Sequence, residues 1–108
     1  MPKEYHLLYT QSKIPIWIGK NAKMNDVMTF ELANKKDLWF HVKDIPGPHV
    51  ILHCEEHSVT QKDIQETIQI TQQYSKSKNP IIYTQIINVE KNKYSKAGQV
   101  ITLEGELK

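Results

Sequence analysis

At 108 residues the chain is long enough for one core and too short for two domains; with 39% apolar residues and a mean hydropathy of −0.55 it reads as soluble and globular. No apolar run approaches the ~18 residues of a membrane span, and no signal-peptide-like stretch follows Met1-Pro2-Lys3-Glu4, so a cytoplasmic protein with no membrane partner is expected. Its cationic side chains are all Lys, with no Arg, and the net charge is only +2, which argues against base reading through guanidinium groups and leaves phosphate contacts to clustered lysines. The codon usage of an AT-rich genome would produce the same bias without any binding role.

In chain order the elements alternate as α+β, without repeats or low-complexity tracts. Tyr5–Thr10 and Ile14–Gly19 are predicted strands joined by Gln11-Ser12-Lys13. A helix is expected from about Ala22 to Asn34, with Asn21 or Asn25 as N-cap and Met24, Val27, Met28 and Leu32 on one side. Lys35 and Lys36 complement the dipole at its end. Leu38–Lys43 and His49–Cys54 then flank Ile45-Pro46-Gly47-Pro48 and are predicted to pair as a β-hairpin, Pro46 pre-setting φ and Gly47 supplying the positive φ of a type II turn. Alternation puts Leu38, Phe40, Val42, Val50, Leu52 and Cys54 on one face, and Trp39, His41, Lys43, His49, Ile51 and His53 on the other. The first face is expected to be core, with Cys54 a buried reduced thiol, and the second a working surface.

Thr60-Gln61-Lys62-Asp63 has the form of a capping box with Asp in place of Glu or Gln, opening a second helix to about Ser77 with Ile64, Ile68 and Thr71 inward. Asn79-Pro80 ends it. Ile81–Val89 and Gln99–Leu103 read as strands separated by the polar loop Glu90–Gly98. The predicted fold class is α+β: one domain over residues 1–108, mostly antiparallel sheet, with a central β-hairpin and two helices.

Three constellations could carry chemistry. On the hairpin, Trp39, His41 and His49 are flat rings beside Lys43, suited to stacking on bases while the cation meets a phosphate; equally, Trp39 could pack beneath a helix with the histidines bonding backbone groups. Lys91, Lys93 and Lys96 surround Tyr94 and end at Gly98, a spacing that follows successive phosphates without reading sequence, or simply a solvated hairpin tip. At the strand-to-helix junction, Gly19 with Lys20, Asn21, Lys23 and Asn25 could present backbone N–H groups to a phosphate, or the two asparagines could only cap and position the helix. It is not a Walker loop.

Catalysis and metal binding find little support. His41, Asp44, His49 and His53, with Cys54 nearby, match no zinc signature, and His49 and His53 lie about 13 Å apart on an extended strand at ~3.3 Å per residue. No Gly-x-Ser-x-Gly elbow exists. The expectation is no enzyme, no cofactor and no metal.

The run Ile18-Gly19-Lys20-Asn21-Ala22-Lys23-Met24-Asn25-Asp26, the hairpin segment 37–52, and the later runs 74–78, 83–85 and 89–100 together resemble, in order, the NFACT-R domain. That domain is the RNA-binding module at the C-terminal end of NFACT proteins, which include ribosome quality-control factors acting on stalled large subunits and bacterial proteins known as fibronectin-binding. The resemblance covers roughly residues 14–103. In the family the loop after Val89 is more basic and richer in Pro and Gly, so Glu90, Asn92, Tyr94 and Ala97 are departures. It implies a non-catalytic module that binds RNA, tRNA or ribosomal RNA, in translation, with the large ribosomal subunit as a further partner. The alternative is a protein-interaction module docking on the ribosome or another partner through the Trp39 face. The chain has none of the N-terminal domain, helix-hairpin-helix or coiled coil of full NFACT proteins and is expected to be a stand-alone form.

Overall fold

Alternating apolar residues in the first twenty positions build an edge hairpin. Strand β1 (Tyr5–Tyr9) pairs antiparallel with β2 (Pro15–Gly19) from Tyr5↔Gly19 to Tyr9↔Pro15. The turn closes through Thr10 N–H to Ile14 O (3.0 Å) and Lys13 N–H to Thr10 O (2.9 Å), with Lys13 left-handed at φ 72°. The computed structural model describes residues 5–54 and 58–90, with the backbone of 101–102 and 106–107.

Helix α1 (Ala22–Val27) starts where Asn21 Oδ1 accepts the Met24 N–H at 2.8 Å. It continues as a π-helical turn over Met28–Leu32, closed by Ala33 N–H to Met28 O at 2.9 Å. The expected helix to Asn34 is therefore shorter, and its stripe is re-phased. A wider turn changes the angle between successive side chains. Thr29 becomes buried, and Leu32, grouped by spacing with Met24, Val27 and Met28, is 45% exposed.

The predicted central hairpin forms: β3 (Leu38–Val42) pairs with β4 (Val50–Leu52) through Leu38↔Leu52, Trp39↔Ile51 and Phe40↔Val50. Its connection is not the expected type II turn. The left-handed residue is Asp44 (φ 68°), not Gly47. Gly47 is needed for closeness instead, since a Cβ there would lie 2.8 Å from Val42 Cγ1 and 3.2 Å from Ser75 Oγ.

Helix α2 (Gln61–Ser75) opens with the Thr60–Asp63 capping box and closes at Lys76, left-handed at φ 54°, two residues before the expected end. Ile68, Thr67 and Thr71 are buried beneath it, and the two threonine hydroxyls donate to the carbonyls four residues back at 2.9 and 2.7 Å. The expected strand Ile81–Val89 is broken. Strand β5 (Ile81–Gln85) gives way to a 3₁₀ turn (Ile86–Asn88), where Ile86 N–H and Ile87 N–H bond to Asp37 O and Lys35 O, before β6 (Val89–Glu90). Strand β6 pairs with β7 (Ile101–Thr102), and β8 (Glu106–Leu107) adds to β5.

The main sheet has the order β1-β2-β4-β3-β5-β8, antiparallel throughout its described pairs. One face carries Ile14, Ile16, Ile18, Phe40, Val42, Val50, Leu52, Ile81 and Tyr83, with Ile64 and Ile68 of α2 packed on it. The other carries Trp39 and Ile51, covered by Met24 and Met28. Two helices thus sandwich an α+β sheet.

Candidate nucleic-acid interface

The face expected to be a working surface is largely core. Trp39 is 2% exposed and His49 fully buried, because α1 and its π turn lie across β3 and β4. Trp39 stacks parallel to His41 (5.6 Å, 2°), and both rings meet His49 edge-on at 5.3 and 5.6 Å. The indole Nε1 has no hydrogen-bond partner among the described residues. Neither Trp39 nor His49 presents a ring to a ligand, and the alternative that used Trp39 as a protein-docking anchor loses that anchor.

What these residues do instead is lock helix to sheet. Asn25, one of the two candidate caps, is buried, and its Oδ1 accepts the His49 N–H at 3.1 Å. Thr29 Oγ1 meets His49 Nδ1 at 2.9 Å, and Gly19 N–H donates to His49 O at 3.1 Å. A Cβ on Gly19 would overlap the Asn25 side chain, so the glycine is there for close approach. Gly19, Asn25, Thr29 and His49 are one bonded knot, and Lys20 and Asn21 are held just outside it.

The knot marks one end of the sheet, where β2 and β3 finish and β4 and β5 begin. Lys20, Asn21 and Lys23 are exposed there, at the start of α1. His41 and Lys43, both half-buried, sit at the end of β3; Lys43 N–H bonds to Pro80 O and Lys43 O accepts from Asn79 Nδ2. The same bonds, with the Gly47–Ser75 approach, bring in the C-terminal end of α2 and its exposed Lys76 and Lys78. Among the residues whose side chains are described, Asp26 and Asp44 bring carboxylates to this end. Lys76 and Lys78 were missed as site residues; the Asn79-Pro80 break just before a strand was the signal that they return to the hairpin. Lys91, Lys93 and Lys96 lie outside the described residues.

Burial holds the His41 imidazole below its ordinary pKa, against hydrogen bonding at Val42 and Gly47 that raises it. At the opposite end Asp37, fully buried, accepts from Asn34 N–H (2.9 Å), Cys54 N–H (3.0 Å) and His53 Nδ1 (2.8 Å). Cys54 is half-buried rather than buried, and desolvation followed by the Asp37 charge pushes its thiol up, keeping it protonated at neutral pH. His53 stacks on Trp17 at 4.8 Å, an aromatic pair that the strand pattern did not single out. Among the described residues no group of three His, Cys, Asp or Glu could hold a metal, and no helix is long and apolar enough to cross a membrane.

Comparison with known proteins places this geometry. The NFACT protein RNA binding domain family matches residues 4–104. The chain is 37% identical over 93 residues to the Rqc2 homolog RqcH of Bacillus subtilis (strain 168), covering 82% of this chain and 16% of that protein. It is 51% identical over 51 residues to the Rqc2 homolog RqcH of Streptococcus suis (strain 05ZYH33), covering 47% of this chain and 9% of that one. The solved structure of the C-terminal of the fibronectin/fibrinogen-binding protein from Streptococcus suis superposes with a TM-score of 0.87 at 28% identity, over 99% of this chain and 44% of that chain. The chain thus spans a small fraction of the length of these curated relatives.

Proposed function

From the premise that this chain belongs to the NFACT protein RNA binding domain family, we propose that it is a non-catalytic module that binds structured RNA through shape and phosphate contacts. The family match over residues 4–104 carries this reading. Geometry supports where the RNA lies: Lys20, Lys23, Lys43, Lys76 and Lys78 gather at one end of the sheet from three separate segments, with Asn21 and His41 among them. Lysines there meet phosphates as point charges, a mode suited to a chain without Arg. The proposed RNA is tRNA or ribosomal RNA, and the proposed setting is ribosome quality control in the cytoplasm, with the large subunit as partner. Within this reading Trp39, Asn25 and His49 shape the surface from beneath, and Lys91, Lys93 and Lys96 are proposed as further phosphate contacts.

Salt dependence tests the proposal. Titrating a structured tRNA at increasing salt should give a log–log slope that falls by roughly 0.7–0.9 for each phosphate contact removed. Replacing Lys20, Lys23, Lys76 and Lys78 together by Gln should weaken binding to all RNA sequences alike and flatten that slope. Absence of tRNA and ribosomal RNA binding by the parent chain at low salt would overturn the reading.

A further inference from the structure

We propose, resting on the RNA reading above, that the uncovered flank of the sheet formed by Leu7, Tyr9, Trp17 and His53 is a stacking platform for unpaired bases, with Lys13 and Lys36 placed around it to meet the backbone phosphates.

Register puts these side chains on one face. Leu7 pairs with Trp17 and Trp17 with Ile51, so Tyr5, Leu7, Tyr9, Trp17 and His53 share the face of Trp39. Helix α1 covers that face over Trp39 and Ile51 but leaves the β1 side open: Leu7 is 38% and Tyr9 57% exposed, Trp17 is half-buried, and the His53 side chain is 29% exposed. The rings already form a ladder. His53 lies on Trp17 at 4.8 Å and 17°, and Tyr5 tilts against Trp17 at 5.9 Å and 51°. A ladder of flat rings accepts another flat ring by the same offset stacking, whatever the base, since every base has a π-face.

The ladder is held in place before any ligand arrives. Asp37 Oδ2 fixes His53 Nδ1 at 2.8 Å and also accepts the Asn34 N–H, while Asp37 Oδ1 accepts the Cys54 N–H and His53 N–H bonds to Pro15 O at 2.9 Å. Ordering lost on binding is correspondingly small. Charge then selects the occupant. Lys13 sits in the β1–β2 turn beside Tyr9 and Pro15, and Lys36, whose carbonyl accepts from Cys54 Sγ, lies next to the end of β4; both lysines are exposed. Among the described residues, the nearby Asp37 carboxylate is buried and engaged, and Glu66 is turned to Gln11 N–H from the α2 side. An apolar protein surface would bury these ammonium groups without an anion, whereas an unpaired nucleotide supplies a flat ring and a phosphate together.

Two probes separate this proposal from the RNA reading on which it rests: a short unstructured RNA oligonucleotide and a blunt RNA duplex, each titrated into the full chain. The parent is expected to bind both, with quenching of tryptophan fluorescence by the oligonucleotide. Trp17→Leu, and independently Tyr9→Ser at an exposed position that the fold does not need, should weaken the oligonucleotide by roughly ten- to a hundredfold for the former, less for the latter, and leave the duplex unchanged. Urea midpoints verify that both variants are folded. Folded variants that bind the oligonucleotide like the parent would overturn the platform while the duplex result sustains the RNA reading; that outcome also covers a face that takes a protein. A parent chain that binds neither probe nor tRNA would overturn both.

Discussion

Trp39 decides how the motif-rich hairpin is to be understood. With 2% of its surface exposed and its ring wedged between Met28, Ile51 and His49, it is a structural residue. Trp39→Ala should cost about 3–5 kcal/mol of stability in urea titrations, because the cavity left beneath α1 cannot collapse fully. Trp39→Phe keeps most of the ring and removes a buried indole N–H that has no partner among the described residues, so it should cost less than about 1.5 kcal/mol. A larger loss for Phe than for Ala would show that the site is not packed in this way. His41 gives the pH counterpart. Its folded pKa is lowered below the ordinary 6.5 by burial, so the unfolded chain binds the proton more tightly. The neutral ring's contribution is complete above that ordinary value and is lost as pH falls from it toward the lowered folded value. His41→Gln should therefore lessen the decline of urea midpoints between about pH 7 and 5; an unaltered decline would assign it to other groups.

At the scale of elements, α2 and the hairpin connection carry the clearest devices. Thr60 Oγ1 accepts from Asp63 N–H at 3.3 Å, and Asp63 Oδ2 accepts from Thr60 N–H at 2.9 Å and from its hydroxyl at 3.0 Å. Thr60→Ala should cost about 1 kcal/mol by orphaning the first turn. Burial opposes the Asp63 charge, yet the hydrogen bonds from Thr60, with the Thr10 and Ser12 hydroxyls nearby, outweigh it and hold the carboxyl below 3.8. A carboxyl depressed in this way stabilises the fold above its unfolded value and loses that contribution as pH falls through the lower folded value. Asp63→Asn should thus flatten the acid limb of the stability profile below about pH 4, measured by urea unfolding. Gly47→Ala tests the other device: its Cβ would press on Val42 and Ser75, so about 1–3 kcal/mol should be lost although the backbone angle suits alanine.

Considered whole, the molecule divides its labour between the ends and faces of one sheet. The knot of Gly19, Asn25, Thr29 and His49 sets the basic end, and α1 stops short of the β1 flank where Trp17 and His53 stack. Charge neutralisation at the basic end and ring removal on the flank should then add independently in binding free energy, because the two sites share no partners. A Lys76→Gln/Lys78→Gln pair combined with Trp17→Leu, titrated with an RNA carrying both a duplex and a single-stranded tail, checks this. Strong non-additivity would mean that one RNA segment meets both.

Sequence alone determined the first four strands, the hairpin pairing with its two faces, the Thr60 capping box and the family, because alternation, capping chemistry and motif order are local or linear properties that survive without coordinates. Tertiary structure decided which sheet face is covered. Alternation correctly grouped Trp39, His41, His49 and Ile51, but whether a helix lies over them depends on where α1 packs, and the Asn25–His49 bond that seats it joins residues 24 positions apart. The same holds for the basic end. Lys20, Lys43 and Lys76 are remote in sequence and gather because Gly19, Val42 and Ser75 end their elements at one end of the sheet. The π turn over Met28–Leu32 lay beyond local reading as well, since its widening accompanies Thr29 turning inward to His49, a contact 20 residues away.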